Sequence, residues 1–237
     1  MLLKLNIVGR RRPGTTRVEH RRHIREVHGE LVLRFIQTDA DNAPRRYVQN
    51  PVQDGTYRAT APGSDPLALG SDFVTQIWVA DFGALERSRQ TAFYNTHLKD
   101  DEDRFVDQAT VVFLPSHERE IGLRGDLGQG AWKLFVLFKR APGVEPSTFT
   151  AAWARVAGAV PLNARRHVQN DVLTRPGADS AADAIDEFWF DDEAAAHAHL
   201  AVWRAALQDS LVQPGLALAG SIAALVARED VIHAGAI

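Results

Sequence analysis

The chain has 237 residues, 45% of them hydrophobic and 24% charged, with a net charge of −3 at pH 7. This is the composition of an ordinary globular protein, and its weak acidity argues against a nucleic-acid partner. With no cysteine it has no disulfide, thiolate metal site or thiol nucleophile, and it lacks both the signal-peptide pattern and the run of about 18 apolar residues needed to span a membrane, so the expected setting is the cytoplasm.

Lys4–Arg10 reads as a strand closed by the turn Pro13-Gly14, and Thr15 or Thr16 is placed to cap a helix over about Arg17–His28. The hexapeptide Arg45-Arg46-Tyr47-Val48-Gln49-Asn50 reads as a second strand, followed by the turn formers Gln53-Asp54-Gly55. Asp72–Val79 is a third strand, Phe82–Thr96 a helix with an acidic piece near Asp100–Asp107, and Thr110–Leu114 a closing strand. The same series then starts again. Lys133–Lys139 leads to Pro142-Gly143, a cap at Ser147 or Thr148 and a helix over about Phe149–Gly158. Arg165-Arg166-His167-Val168-Gln169-Asn170 repeats the hexapeptide, with a turn at Arg175-Pro176-Gly177, a strand over Asp183–Phe190, a helix over Asp192–Leu211 and a strand over Ser221–Val226.

Each half therefore reads βαββαβ, the ferredoxin-like order of a four-stranded antiparallel sheet with two helices on one face. The fold class is α+β: two tandem ferredoxin-like units packed sheet to sheet, an intramolecular dimeric α/β barrel. Residues 1–121 form the first, catalytic unit, the glycine-rich 122–130 a linker, and 131–237 a second, structural unit.

The duplication acts as an internal control. On the first helix Ile24, Val27, His28 and Leu31 share one stripe, and their counterparts are Trp153, Val156, Ala157 and Val160. Packing alone does not demand an imidazole at a position that the other copy fills with alanine. An imidazole gives and takes protons near neutral pH, so His28 is the acid–base candidate, against the plainer reading of a half-buried structural histidine. Asn50, kept as Asn170, either polarises a bound carbonyl or ties down the sheet. Tyr47, matched by His167, is a phenolic donor or a packing residue. Trp78 shares a strand face with Gln76, a flat wall with a polar group beside it or a plain core tryptophan. His97 and the run Asp100-Asp101-Glu102-Asp103 occur in the first copy only. Four consecutive acids cannot all face one ion, so a solvated turn is expected there and no metal. Among Arg10-Arg11-Arg12, Arg17, Arg21-Arg22 and Arg25 lie Glu19 and Glu26, which fits a solvated helix face better than a polyanion patch.

The segments Arg10–Gly14, Glu26–Val32 with its His-Gly pair, Arg45–Asn50, Gln76–Val79 and Glu118–Ile121 together resemble the EthD family of the dimeric α/β-barrel superfamily. The second half looks like a diverged copy with Ala157-Gly158 in place of His-Gly. The resemblance implies a ligand cavity between sheet and helices in each unit. Relatives by fold include cofactor-independent oxygenases, polyketide cyclases and dehydratases, muconolactone isomerases and haem-binding peroxidases. The activity it implies is a lyase, dehydratase or isomerase acting without a cofactor on a hydrophobic aromatic or polyketide-like molecule. His28, Asn50, His97 and Tyr47 would carry the chemistry, and Trp78, Gln76, Ile24 and Leu31 would line the cavity. The alternatives are a cofactorless monooxygenase and a non-catalytic binding protein of xenobiotic breakdown. Neither nucleic acid nor membrane is expected as a partner, and the pseudo-dimer has the option of pairing again as a homodimer.

Overall fold

In the computed structural model, residues 2–58, 65–125, 130–174 and 179–235 are described. The predicted turn at Arg175-Pro176-Gly177 lies outside them, as do residues 126–129 of the predicted linker. The chain forms two compact units. One takes Met1–Val52, Ser71–His117 and Glu229–Ile237, and the other takes Gln53–Gly70 and Glu118–Arg228.

In the first unit β1 (Leu3–Gly9) is central, antiparallel to β3 (Phe73–Val79) and to β4 (Val112–Leu123). β2 (Arg46–Thr56) pairs with β3, with Tyr47 opposite Ile77 and Gln49 opposite Thr75. A short β9 (Asp230–His233), not predicted, adds to the edge beside Tyr47–Gln49. Strand parity divides the sheet. Ile7, Phe73 and Ile77 join clusters with the helices, whereas Asn6, Asn50 and Gln76 lie on the other face and bond to one another there.

The first helical stretch comprises α1 (Arg17–Arg22), a π-helical turn (His23–His28) and α2 (Gly29–Thr38). Thr16 and Glu19 form a reciprocal capping box at its start. The helix predicted to end near His28 runs on to Thr38, because Val32 and Phe35 extend the buried apolar stripe. The turn predicted at Gln53-Asp54-Gly55 is strand instead, since β2 continues to Thr56. α3 (Phe82–Gln90) is followed by a π-helical turn (Tyr94–Leu98) and α4 (Lys99–Phe105), so the acids at 100–103 sit on a helix and not in a solvated turn. The arginines near the N-terminus are largely engaged: Arg11 and Arg17 meet Asp72, Arg25 meets Asp230, and Arg21 donates to the Val52 carbonyl.

The second unit repeats the order with β5 (Trp132–Phe138), α5 (Pro146–Ala159), β6 (Arg166–Val172), β7 (Ala184–Phe190), α6 (Glu193–Leu207) with a π-helical turn (Gln208–Val212), and β8 (Ala223–Arg228). β5 is again central between β7 and β8. α5 starts at Pro146 after Glu145, ahead of the predicted caps Ser147 and Thr148; proline has no N–H to satisfy, which suits a first helical position.

Candidate functional site

The π-helical turn of the first unit creates the site. In an α-helix of about 3.6 residues per turn, side chains five apart diverge by roughly 140°. Widening the turn, so that Gly29 N–H reaches the Ile24 carbonyl, brings His23 and His28 to one side. Both then meet the same carboxylate. His23 Nε2 lies 2.8 Å from Asp101 Oδ1, and His28 Nδ1 lies 3.0 Å from Asp101 Oδ2. The turn is locked from the sheet by Gln49, whose Nε2 donates to the Ile24 carbonyl at 2.6 Å and to the Tyr47 hydroxyl oxygen at 2.8 Å. A β-carbon at Gly29 would stand 3.4 Å from both Gln49 Nε2 and the Ile24 oxygen, ordinary contact, so the approach does not depend on glycine.

Asp101 is 3% exposed. Burial pushes its carboxyl up, but hydrogen bonds from His28 and His23 outweigh that and hold it below the usual carboxylate range. An ionised Asp101 accepts from His28 Nδ1–H, which leaves Nε2 as the basic nitrogen. The next residue behaves oppositely. Glu102 is raised by burial, despite the opposing influence of His28, a bond from the Tyr94 hydroxyl at 3.1 Å and Arg89. Tyr94 is itself pushed up to about 12 by burial and by Glu102. Tyr47 is likewise raised by burial, so its hydroxyl stays a proton donor. Two neighbouring carboxyls, one held ionised and one biased toward the acid form, are the arrangement expected where a base and an acid act together.

His28 faces an open cavity between sheet and helices, about 570 Å³ when its solvent-filled mouth is included, lined by Leu5, Ile7, Val32, Phe35, Tyr47, Thr75, Ile77, Leu85, Tyr94 and Leu98 among others. A second lobe of about 440 Å³ shares Ile7, His28, Thr75, Arg89 and Glu102 with the first and adds Phe73, Phe105, Gln108 and Phe113. The walls are mostly apolar, with the polar groups gathered at the junction.

Of the residues singled out from sequence, the structure brings His28 and Tyr47 together, their ring centroids 6.4 Å apart. Asn50, Gln76 and Trp78 lie on the opposite face of the sheet from Tyr47 and Gln49. Asn50 Nδ2 donates to the Val74 carbonyl and to Gln76, and Asn170 does the same to Ile185 and Glu187. Lys4 and Arg46 lie against the Trp78 ring, as Lys133 and Arg166 do against Trp189. These pairs recur in both copies, as scaffold residues would. His97 is exposed beside Phe93 and does not line the cavity. Leu31 packs on the cluster around Phe35, and Ile24 lines a separate cavity with His20 and Arg25. Sequence reasoning missed Asp101, Glu102, Tyr94 and His23. The available signal was position: acids one helical turn beyond Tyr94-Asn95-Thr96-His97, in the copy that alone keeps His28.

The second unit fills the corresponding space. Asp186, at the register position of Thr75, accepts from Trp153 Nε1 at 2.9 Å, Trp203 Nε1 at 3.0 Å and His167 Nε2 at 2.7 Å. Aligning the bridges Arg11–Val106 and Arg140–Ala217 puts Val212 opposite Asp101 and Gln213 opposite Glu102. The counterparts of His28, Asp101 and Glu102 in this copy are thus Ala157, Val212 and Gln213. His199, pushed down to about 4 by burial, is surrounded by Phe188, Phe190 and Trp203. That packing offers no flat open side for a haem, so these residues do not fit one. Among the described residues no group of three or more His, Cys, Asp and Glu side chains is arranged to hold a metal ion, and no helix is long and apolar enough to cross a membrane.

Residues 12–109 match the family model of the EthD domain. An anthrone oxidase-like protein superposes with a TM-score of 0.56 at 14% identity, over 98% of this chain and 91% of that one. Chlorite dismutase from Candidatus Nitrospira defluvii, in complex with imidazole, gives 0.56 at 10% identity, over 98% and 92%. At such identities the likeness concerns the fold, and no curated protein matches the sequence.

Proposed function

We propose, from the match of residues 12–109 to the EthD domain and the fold shared with the solved structures, that the first unit is an acid–base site that removes water from, or isomerises, a hydrophobic carbonyl compound of the aromatic or polyketide kind. His28 Nε2 takes a proton from the carbon beside the carbonyl. Asp101 holds the Nδ1–H and stabilises the imidazolium that forms. The Tyr47 hydroxyl, its oxygen already accepting from Gln49, donates its own proton toward the developing enolate oxygen. Glu102 in its acid form, which burial favours, supplies a proton to a hydroxyl on the next carbon, the C–O bond breaks, and water leaves with formation of a C=C bond. Proton transfer from His28 to Glu102 restores both groups. Return of the abstracted proton to a different carbon gives isomerisation instead.

The observation that carries this reading is the His28–Asp101 pair beside a carboxyl raised by burial, present in one copy and replaced by Ala157, Val212 and Gln213 in the other. A cofactorless monooxygenase begins with the same deprotonation, and the anthrone oxidase-like neighbour makes it the second reading. Glu102 favours elimination, because attack of an enolate on oxygen needs no acid at a leaving hydroxyl.

The test is exchange of the α-protons of 2-tetralone in D2O, followed by NMR, with an oxygen electrode in parallel. His28→Ala is expected to slow exchange about a thousandfold with ligand binding retained. Exchange unchanged in that variant would make the unit a binding protein, and stoichiometric oxygen uptake would move the assignment to the monooxygenase.

A further inference from the structure

One charge at the junction of the two lobes is left unused by this chemistry. Arg89, at the end of α3, lines both lobes together with His28 and Glu102. Among the described residues it forms no salt bridge, whereas Arg11, Arg17, Arg25 and Arg58 each face a carboxylate. Arg89 is an exposed residue at the mouth of the cavity, and its guanidinium lies over the partly exposed Phe113 ring at 5.2 Å, with its N–H edge open to solvent or to a bound anion. Its charge acts on Glu102, opposing the rise of that carboxyl, but no nearby acid forms a salt bridge with it among the described residues. Asp101 is turned to the two histidines, and the Glu102 carboxyl accepts from Tyr94.

We infer that Arg89 selects substrates bearing a carboxylate on a hydrophobic ring skeleton, gripping the carboxylate at the lobe junction while the rings occupy the apolar lobe lined by Phe35, Ile77 and Leu98. A planar guanidinium presents two parallel N–H donors that match the two oxygens of a carboxylate, a geometry that an ammonium reproduces only in part. Held at one end, the ring skeleton is fixed relative to His28, so the carboxylate end sets which carbon faces Nε2. This rests on the His28 cavity being the substrate site.

Fluorescence titration with 2-naphthoate and its methyl ester tests it. The wild-type protein is expected to bind the acid at least tenfold more tightly than the ester. Arg89→Gln should bring the two within about twofold by weakening the acid alone, and Arg89→Lys should keep an intermediate preference. Weak or equal binding of both probes by the wild type, or a preference that survives Arg89→Gln, overturns the inference. His28→Ala separates it from the acid–base reading: that variant should keep the preference for the acid while losing proton exchange. If it retains exchange, the mechanism falls and the selectivity stands.

Discussion

Replacing Asp101 by asparagine removes one negative charge from between two imidazoles and leaves the shape almost unchanged. In the wild type the carboxylate, 3% exposed, accepts from His23 at 2.8 Å and from His28 at 3.0 Å. When His28 takes the substrate proton, its Nδ1–H then faces a full charge; in Asp101→Asn it faces an amide. A hydrogen bond to a charged partner contributes about 1.5–3 kcal/mol. With roughly 1.4 kcal/mol per factor of ten, α-proton exchange should slow by about ten- to 150-fold at nearly constant KM, since the lost interaction is made in the transition state. The variant also changes the pH dependence of stability. A carboxyl held below its unfolded value, about 3.9, stabilises the fold above that pH and loses the contribution as pH falls through the folded pKa. Wild-type protein should therefore lose melting temperature below about pH 4 more steeply than Asp101→Asn, which starts lower at neutral pH. The assays are 2-tetralone exchange and thermal melts from pH 3 to pH 8. Exchange within threefold of wild type, with parallel acid slopes, would refute the pairing.

Glu102→Gln should cut water loss from a β-hydroxy ketone by about a hundredfold or more while α-proton exchange changes little, as measured by product absorbance and NMR. Because burial raises Glu102, the stability it lends is present below its unfolded pKa, about 4.3, and lost as pH rises through the folded value. The glutamine variant should accordingly melt above wild type at pH 8 and level with it near pH 4. Tyr47→Phe should reduce exchange by about a hundredfold with folding retained, because Gln49 still holds the Ile24 carbonyl; an unchanged rate would remove Tyr47 from the mechanism. In the second unit Asp186→Ala leaves the donors of Trp153, Trp203 and His167 without their shared acceptor, a cost of about 3 kcal/mol. Calorimetry should show melting lowered by roughly 6–12 °C.

The duplicated hexapeptide made the strands legible, because Tyr47 and His167, and Trp78 and Trp189, occupy matching register positions in the two sheets. It also exposed His28, since Ala157 shows that packing there does not require an imidazole. Asp101 was hidden for a physical reason. Within a run of four acids, the buried one is chosen by the helical phase of α4, and that phase depends on the π-helical turn before it, which leaves no clear mark in composition. The same applies to His23, brought beside His28 only by the widened turn. Parity assigns Asn50 and Tyr47 to opposite faces of β2, but which face meets the helices is decided by Phe73, Ile77 and Ile7 on neighbouring strands.

A crystal structure of the protein with 2-naphthol, a stable mimic of the 2-tetralone enol, tests the central claim most directly. The account predicts the ligand in the first unit, with its oxygen at about 2.6–3.2 Å from the Tyr47 hydroxyl and its adjacent ring carbon facing His28 Nε2. A ligand bound away from His28, or on the Asn50 and Trp78 face of the sheet, would contradict it.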